Sequence, residues 1–296
     1  MRAYLPAYDL RAPDTLSEAV SMLAAAPGAW RPFAGGTDLM VQLESGALPE
    51  GQYLGLWKIG ELRGIRETGA GVEIGALTTY SEILASDLLG REYPLLGHAA
   101  RETGGVATQN RGTIGGNVAN ASPAADTPPA LLVYDAELEL ISIRGTRLVP
   151  YDAFHLGYKK MDMAPDELIA RVRLPKRAAG WREHYRKVGT RKAQAISKVC
   201  LAGALRLDGP SGTVADVRIA LGSVAPTVVR ARSAEGTILG QRLDPAVIEA
   251  AVHALTQDIA PIDDIRSTAR YRLSVAQRLL RQWLERVVLS QVGRLS

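Results

Sequence analysis

PFAGGTDLMVQL, residues 32–43, sets two adjacent glycines between an apolar approach and an apolar exit. Glycine inside a helix or strand costs up to about 1 kcal/mol relative to alanine, so a pair implies a local demand that only a missing Cβ can meet. Two demands qualify: a tight turn, or a ligand that comes too close to the backbone for a side chain. TIGGNVANASPAAD, residues 113–126, repeats the theme as Thr113-Ile114-Gly115-Gly116-Asn117. Neither loop is the G-x-G-x-x-G of a dinucleotide fold, and no G-x-x-x-x-G-K-[ST] phosphate loop occurs in the chain. Successive backbone N–H groups around Gly35-Gly36 and Gly115-Gly116 fit anion-holding nests, with the Thr37 and Thr113 hydroxyls as further donors. Two nests suit a pyrophosphate; two plain turns remain the alternative. Asp38 and Asp126 would repel phosphate, so each is expected to cap local N–H groups or to accept from sugar hydroxyls.

Outward from the first loop, Thr15 and Glu18 stand in capping-box spacing ahead of Leu16, Ala19, Val20 and Leu23, which share one helical face. Pro27-Gly28 stops that helix, Trp30 to Ala34 reads as a strand, and Asp38 to Leu43 as a short helix: strand, glycine loop, helix. From about residue 53 short apolar runs broken by glycine take over, at 53–59 and 71–77, with helical segments at 80–86 and 95–102. After the second glycine loop come a helix at 128–133 and a strand at 137–143 alternating Leu138, Leu140 and Ser142. A hairpin turn is expected at Arg144-Gly145-Thr146-Arg147 and a strand over 166–174 ending at Pro175. Lys176 to Gly180 reads as a linker. Beyond it lie strands at 183–188, 199–207 and 214–222, the last two separated by Asp208-Gly209-Pro210-Ser211-Gly212, then helices at 245–254 and 269–288. Strands followed by helices within one region predict α+β organisation. Tyr271, Val275, Leu279 and Trp283 recur at helical spacing, with Leu280 and Leu284 beside them, as a core stripe or a partner interface.

The chain has 296 residues, beyond the usual single-domain size of roughly 100 to 200, so two or three lobes are expected. Its lysines and arginines are dispersed, which with a net charge of only +4 disfavours nucleic-acid binding. Apolar stretches such as Ala130 to Val133 fall far short of the roughly 18 residues of a membrane span. MRAYLPAYDLRAPD carries charges and prolines where a secretory signal has an apolar core, and the expected location is the cytoplasm. Cys200 is the sole cysteine, which removes intrachain disulfides and any zinc site or cluster held by several of this chain's thiolates. His98, His155, His184 and His253 show no metal-ligand spacing.

The AGGTDL and TIGGNVANASPAAD loops, together with YRKVGTRKAQAISKV at 185–199 and VRIALGSVAPTVVRA at 217–231, resemble the FAD-binding medium subunit of molybdenum hydroxylases, a family that includes xanthine dehydrogenase, nicotinate dehydrogenase and carbon monoxide dehydrogenase. The four motifs occur in order over nearly the whole chain. The resemblance implies an α+β fold: a two-lobed FAD-binding domain followed by a smaller C-terminal α+β domain, with lobes over 1–55 and 56–176 and the last domain over 177–296. Carried over by position, Pro32, Phe33, Ala34, Gly35, Gly36, Thr37, Asp38 and Leu39 correspond to the first pyrophosphate loop, and Thr113, Ile114, Gly115, Gly116 and Asn117 to the second. Asp126 falls where the family has an acidic residue near the ribityl and ribose groups. Ile169 falls where an apolar residue lines the site through its backbone, and Lys187 where a lysine contacts the cofactor, with an exposed strand lysine as its bland alternative. Gly104 lies by the position flanking the flavin ring, next to Thr103 where some relatives carry phenylalanine.

No residue is assigned a catalytic role by the resemblance, and no metal is implied on this chain. Relatives that reduce 4-hydroxybenzoyl-CoA carry a cysteine-rich insert for an extra cluster, which one cysteine cannot supply. Neither glycine loop has a histidine or cysteine for covalent flavin attachment. The implied work is electron transfer: FAD accepts electrons from [2Fe-2S] clusters on a small partner subunit, fed by a molybdopterin-binding large subunit, and passes them to an external acceptor. An (LMS)2 heterohexamer is the implied assembly. A flavin-free scaffold and a self-contained flavin oxidase are the alternatives; intact glycine loops disfavour the first, and the lack of an acid-base constellation beside them disfavours the second.

Overall fold

The computed structural model describes residues 7–192, 194–209 and 211–292. The first six residues, the last four, Ala193 of the 185–199 motif and Pro210 of the 208–212 turn lie outside the described residues.

The first lobe alternates strand and helix: β1 (Tyr8–Arg11), α1 (Leu16–Ala25), β2 (Trp30–Phe33), α2 (Leu39–Glu44) and β3 (Gly51–Gly55). Its sheet runs β1-β3-β2 with both pairings parallel, so the helices serve as crossovers. Thr15 caps α1 as its spacing predicts, accepting from the Glu18 N–H at 3.2 Å, but Glu18 reaches back to the N–H of Asp14 rather than of Thr15. A complete capping box occurs instead at Thr79 and Glu82, where the sequence reading names only a helix.

The second lobe holds β4 (Ile65–Thr68), β5 (Gly71–Gly75), α3 (Tyr80–Ala85), α4 (Asp87–Glu92), α5 (Pro94–Glu102), α6 (Val106–Gln109), α7 (Ile114–Ala119), α8 (Pro128–Val133), β6 (Glu137–Ser142), β7 (Gly145–Pro150), α9 (Tyr151–Phe154), β8 (His155–Gly157), β9 (Lys160–Met161) and β10 (Leu168–Pro175). An antiparallel sheet of order β4-β5-β10-β6-β7 is its floor. The hairpin between β6 and β7 turns at Ile143-Arg144, two residues earlier than the 144–147 turn the sequence suggests, because Gly145, with φ of +112°, already pairs with Ser142. β10 starts at Leu168 rather than Asp166. Asp166 and Glu167 are held out of the ladder by Arg144 and by Arg147, whose Nε lies 2.8 Å from Glu167.

β10 is buried on both faces where it begins. Leu168 and Ala170 join the first lobe's core with Ala19, Leu23 and Leu54, whereas Ile169, Val172 and Leu174 join the second lobe's. The change of face falls at a register shift between Ile169 and Arg171. One strand thereby ties the two lobes together.

The third region forms the antiparallel sheet β11 (Arg182–Val188), β12 (Val199–Leu207), β13 (Val214–Gly222) and β14 (Val229–Arg230), followed by α10 (Arg232–Ile238), α11 (Pro245–Asp258) and α12 (Ala269–Val292). Both faces of this sheet are covered. Val199, Leu201 and Leu205 face the C-terminal helices, while Ala202, Ala204 and Ala220 belong to the second lobe's core, where small side chains let α8 approach. On the helix side Gly203 leaves room for the Trp283 indole, whose Cη2 would lie 2.5 Å from an added Cβ. Leu279, Leu280, Trp283 and Leu284 of α12 are buried there, so the stripe at helical spacing is core, with Tyr271 at its margin 43% exposed. Among the described residues no helix is long and apolar enough to cross a membrane.

Candidate flavin site at the junction of the lobes

The first glycine loop leaves β2 at Phe33, whose carbonyl accepts from the Leu56 N–H at 2.8 Å. Gly36 has φ of +78°, and a Cβ there would lie 2.6 Å from the Phe33 ring, so only glycine lets the chain turn over that ring. A Cβ on Gly35 would collide with the Arg111 carbonyl, 2.6 Å from its carbon. Arg111 immediately precedes the second loop, so the two glycine stretches meet. Ala34 lies 3.8 Å from the Cβ position of Gly116.

The loops differ in what their N–H groups do. Among the described residues no hydrogen bond within the chain takes the N–H of Gly35, Gly36, Thr37 or Asp38. That row, half-exposed from Gly35 to Thr37 and exposed at Asp38, is open to an anion. In the second loop, by contrast, Ile114 N–H donates to Thr78 O (3.0 Å), Gly115 N–H to Ala76 O (2.9 Å) and Asn117 N–H to Thr113 O (2.9 Å). Gly116 N–H donates to the Thr113 hydroxyl at 3.0 Å. The expected second nest is therefore a corrected point: Thr113 caps α7, and those N–H groups are already engaged. Gly115 has a packing reason instead, since a Cβ there would lie 2.5 Å from that of Ala76. The second loop can offer a ligand the Asn117 side chain, whose Oδ1 accepts from Thr127 at 2.5 Å.

Asp38 does not cap α2; its carboxylate accepts from Gln42 Nε2 at 2.5 Å. Asp126 is buried and also caps nothing. Its Oδ2 accepts from Lys187 Nζ at 2.8 Å and its Oδ1 from the Ser197 hydroxyl at 2.7 Å. The Lys187 side chain is only 5% exposed, which removes the exposed-lysine alternative. Its ammonium also donates to Glu102 O at 2.8 Å, which among the described residues leaves one N–H uncommitted. Burial pushes the Asp126 carboxyl above the ordinary carboxylate range, opposed by the adjacent ammonium and hydroxyl.

Glu102 ends α5 just before Gly104, so the lysine and this loop come together. Gly104 has φ of +60°, and an added Cβ would lie 2.6 Å from Thr108. Thr103 turns inward, donating to Ala99 O at 2.8 Å. Ile169 is linked to the second loop through its neighbours: Ala76 N–H donates to Ala170 O at 2.9 Å while Ala76 O accepts from Gly115. Pro32 and Leu39 bracket the first loop, one pairing with Leu54 in the sheet and the other opening α2. Ser197, Glu102 and Tyr185, whose hydroxyl donates to Asp126 O at 3.0 Å, are missed by sequence reasoning. Only Ser197 and Tyr185 lie within a recognised motif, and neither carries a spacing that marks it.

Comparison with known proteins matches residues 6–177 to the FAD binding domain in molybdopterin dehydrogenase and residues 183–287 to the CO dehydrogenase flavoprotein C-terminal domain. The putative xanthine dehydrogenase FAD-binding subunit of Escherichia coli K12 is 34% identical over 95% of this chain and 96% of its own. The carbon monoxide dehydrogenase medium chain of Hydrogenophaga pseudoflava is 31% identical over 94% of this chain and 96% of its own. A solved structure of carbon monoxide dehydrogenase from that organism superposes with a TM-score of 0.90 at 32% identity, covering 94% of this chain and 96% of that one. Quinoline 2-oxidoreductase from Pseudomonas putida 86 superposes with a TM-score of 0.88 at 26% identity, over 97% and 99% of the two chains.

Proposed function

The chain belongs to the FAD-binding medium subunits of the molybdenum hydroxylase family, and from that membership we propose that it is the electron-transfer flavoprotein of a multi-subunit oxidoreductase. Partner chains hold the molybdopterin and the [2Fe-2S] clusters, in an (LMS)2 assembly in the cytoplasm, and this chain passes their electrons to an external acceptor. Bound FAD supplies the chemistry that collects single electrons and releases them to the acceptor.

The observation that carries the reading is the open N–H row from Gly35 to Asp38, set against the second loop where the lobes meet. The open row fits a diphosphate held by backbone. Lys187, fixed by Asp126 and Glu102, has one N–H left for the flavin end. Because Asp126 balances it, Lys187 acts on a flavin as half of a dipole rather than as a bare charge.

The test is the visible spectrum of the full chain purified with and without its partner subunits. Flavin bound in stoichiometric amount, bleached by an oxidisable substrate only when the partners are present, is the expected result. Assembly without flavin would establish a scaffold instead, and bleaching of the isolated chain a self-contained oxidase.

A further inference from the structure

We propose that Thr127 is a positioning residue of the cofactor site, holding the Asn117 carboxamide with its oxygen inward and its NH2 toward the diphosphate of FAD; this rests on the reading of the chain as an FAD subunit. The backbone N–H groups of residues 114–117 are all spent within the chain, and Thr113, whose hydroxyl accepts from Gly116, is buried. What the second loop can still donate to an anion is the Asn117 amide. A carboxamide has two unlike ends, an acceptor oxygen and a donor NH2, so its use to a phosphate depends on which end is held inside.

Thr127 decides that choice. Its hydroxyl donates to Asn117 Oδ1 at 2.5 Å, so the oxygen is the end turned inward. Thr127 is fully buried and stands at the N-cap of α8, yet its side chain caps nothing there. The usual work of a threonine in that place is given up for the contact with Asn117. Pro128 and Pro129 follow, and all six residues of α8 are buried, so the hydroxyl is carried on backbone with little freedom. The Tyr80 hydroxyl, kept protonated by burial, hydrogen-bonds to both side chains. The two amide N–H bonds diverge, so a single hydroxyl oxygen can take only one of them and the other remains for a ligand. Asn117 is half-buried and follows Gly116, whose Cβ position lies 3.8 Å from Ala34 at the entry to the open N–H row. With the amide reversed, its oxygen would face the diphosphate and repel it.

The experiment titrates FAD, and ADP as its competitor, into the full chain stripped of cofactor. Thr127→Val keeps the shape and removes the hydroxyl; it is expected to weaken both ligands by about tenfold, with Thr127→Ser restoring most of the loss. In an Asn117→Ala background the same Thr127→Val change is expected to weaken ADP by no more than about twofold further, because the threonine acts through the amide. Equal losses in the two backgrounds would make Thr127 a structural residue only and overturn the proposal. So would ADP affinity of Thr127→Val within about twofold of the wild type. Asn117→Asp leaves Thr127 untouched and tests the polarity independently. A carboxylate offers the diphosphate no donor, so ADP is expected to bind more than about tenfold weaker, and an unchanged affinity would count against the proposal equally. A wild-type chain that binds no FAD removes the broader reading along with this one, whereas a wild type that binds normally beside an unaltered Thr127→Val removes this one alone.

Discussion

Gly35 lies directly against the peptide carbonyl of Arg111, so close that a β-carbon would fall 2.6 Å from the carbonyl carbon. No side chain can stand at residue 35 while the two loops keep this contact. Gly35→Ala is expected to lower FAD retention by more than about tenfold, because the first lobe must shift away from the second loop and the open N–H row moves with it. Gly97→Ala is the control: a Cβ there meets nothing within 4 Å, and in the middle of α5 the change is expected to stabilise by about 0.4 to 1 kcal/mol. Flavin absorbance per chain after gel filtration reads the first effect, and the urea midpoint the second.

The buried pair of Lys187 and Asp126 makes opposite predictions for its two members. Asp126→Asn leaves the ammonium uncompensated, which favours the anionic reduced flavin and raises the midpoint potential. Lys187→Met does the reverse. Shifts on the order of 30 mV are expected, about 1.4 kcal/mol for a two-electron couple. Potentiometric titration of the two variants with FAD bound checks the signs; equal or same-direction shifts would place the flavin ring away from this pair. Each variant also leaves a buried partner unpaired, at a cost of about 3 to 5 kcal/mol in stability.

His184 stacks on Trp283 at 6.3 Å with an interplanar angle of 11°. Burial, then the charge of Arg286, pushes its pKa down to about 4. The imidazole is thus neutral in the folded chain and takes up a proton more readily when unfolded. Its contribution is fully present above the unfolded pKa of about 6.5 and is lost as pH falls from there through about 4. The thermal midpoint of the wild type should therefore fall across that interval. His184→Gln should show a shallower slope there; an unchanged slope would assign the acid sensitivity to other groups.

Gly203 and Trp283 form one packing unit, glycine on β12 and indole on α12. Trp283→Ala is expected to cost about 3 to 5 kcal/mol, and Gly203→Ala about 1 to 3 kcal/mol through overpacking. Because this unit lies on the helix side of the sheet, away from α8, partial loss of C-terminal stability with retained flavin is the expected pattern. Denaturant unfolding followed by tryptophan fluorescence and flavin release separates the two.

The helices and strands were largely legible because their patterns are local. Ala19, Val20 and Leu23 fall on one helical face, and Leu138, Leu140 and Ser142 alternate into the core. The glycine pairs marked both loops, and motif order led to the family. Less legible were the cases where a distant charge overrides a local pattern. Asp166 and Glu167 look like the start of a strand until Arg144 and Arg147 reach across to hold them.

From its order of residues alone the chain determined where backbone must lie bare, at Gly35, Gly36, Gly115 and Gly116, because the absence of a Cβ is written in the sequence. Only the tertiary structure decided what each bare position serves. Gly36 turns over Phe33, Gly35 seats Arg111, Gly115 rests on Ala76, and the N–H groups stay open in one loop while the other uses its own. The partnership of Lys187 with Asp126 likewise depended on the second lobe and the third domain closing together. Hydrogen bonds and close contacts reach only a few ångströms, so they are specified by which surfaces meet in space rather than by spacing along the chain.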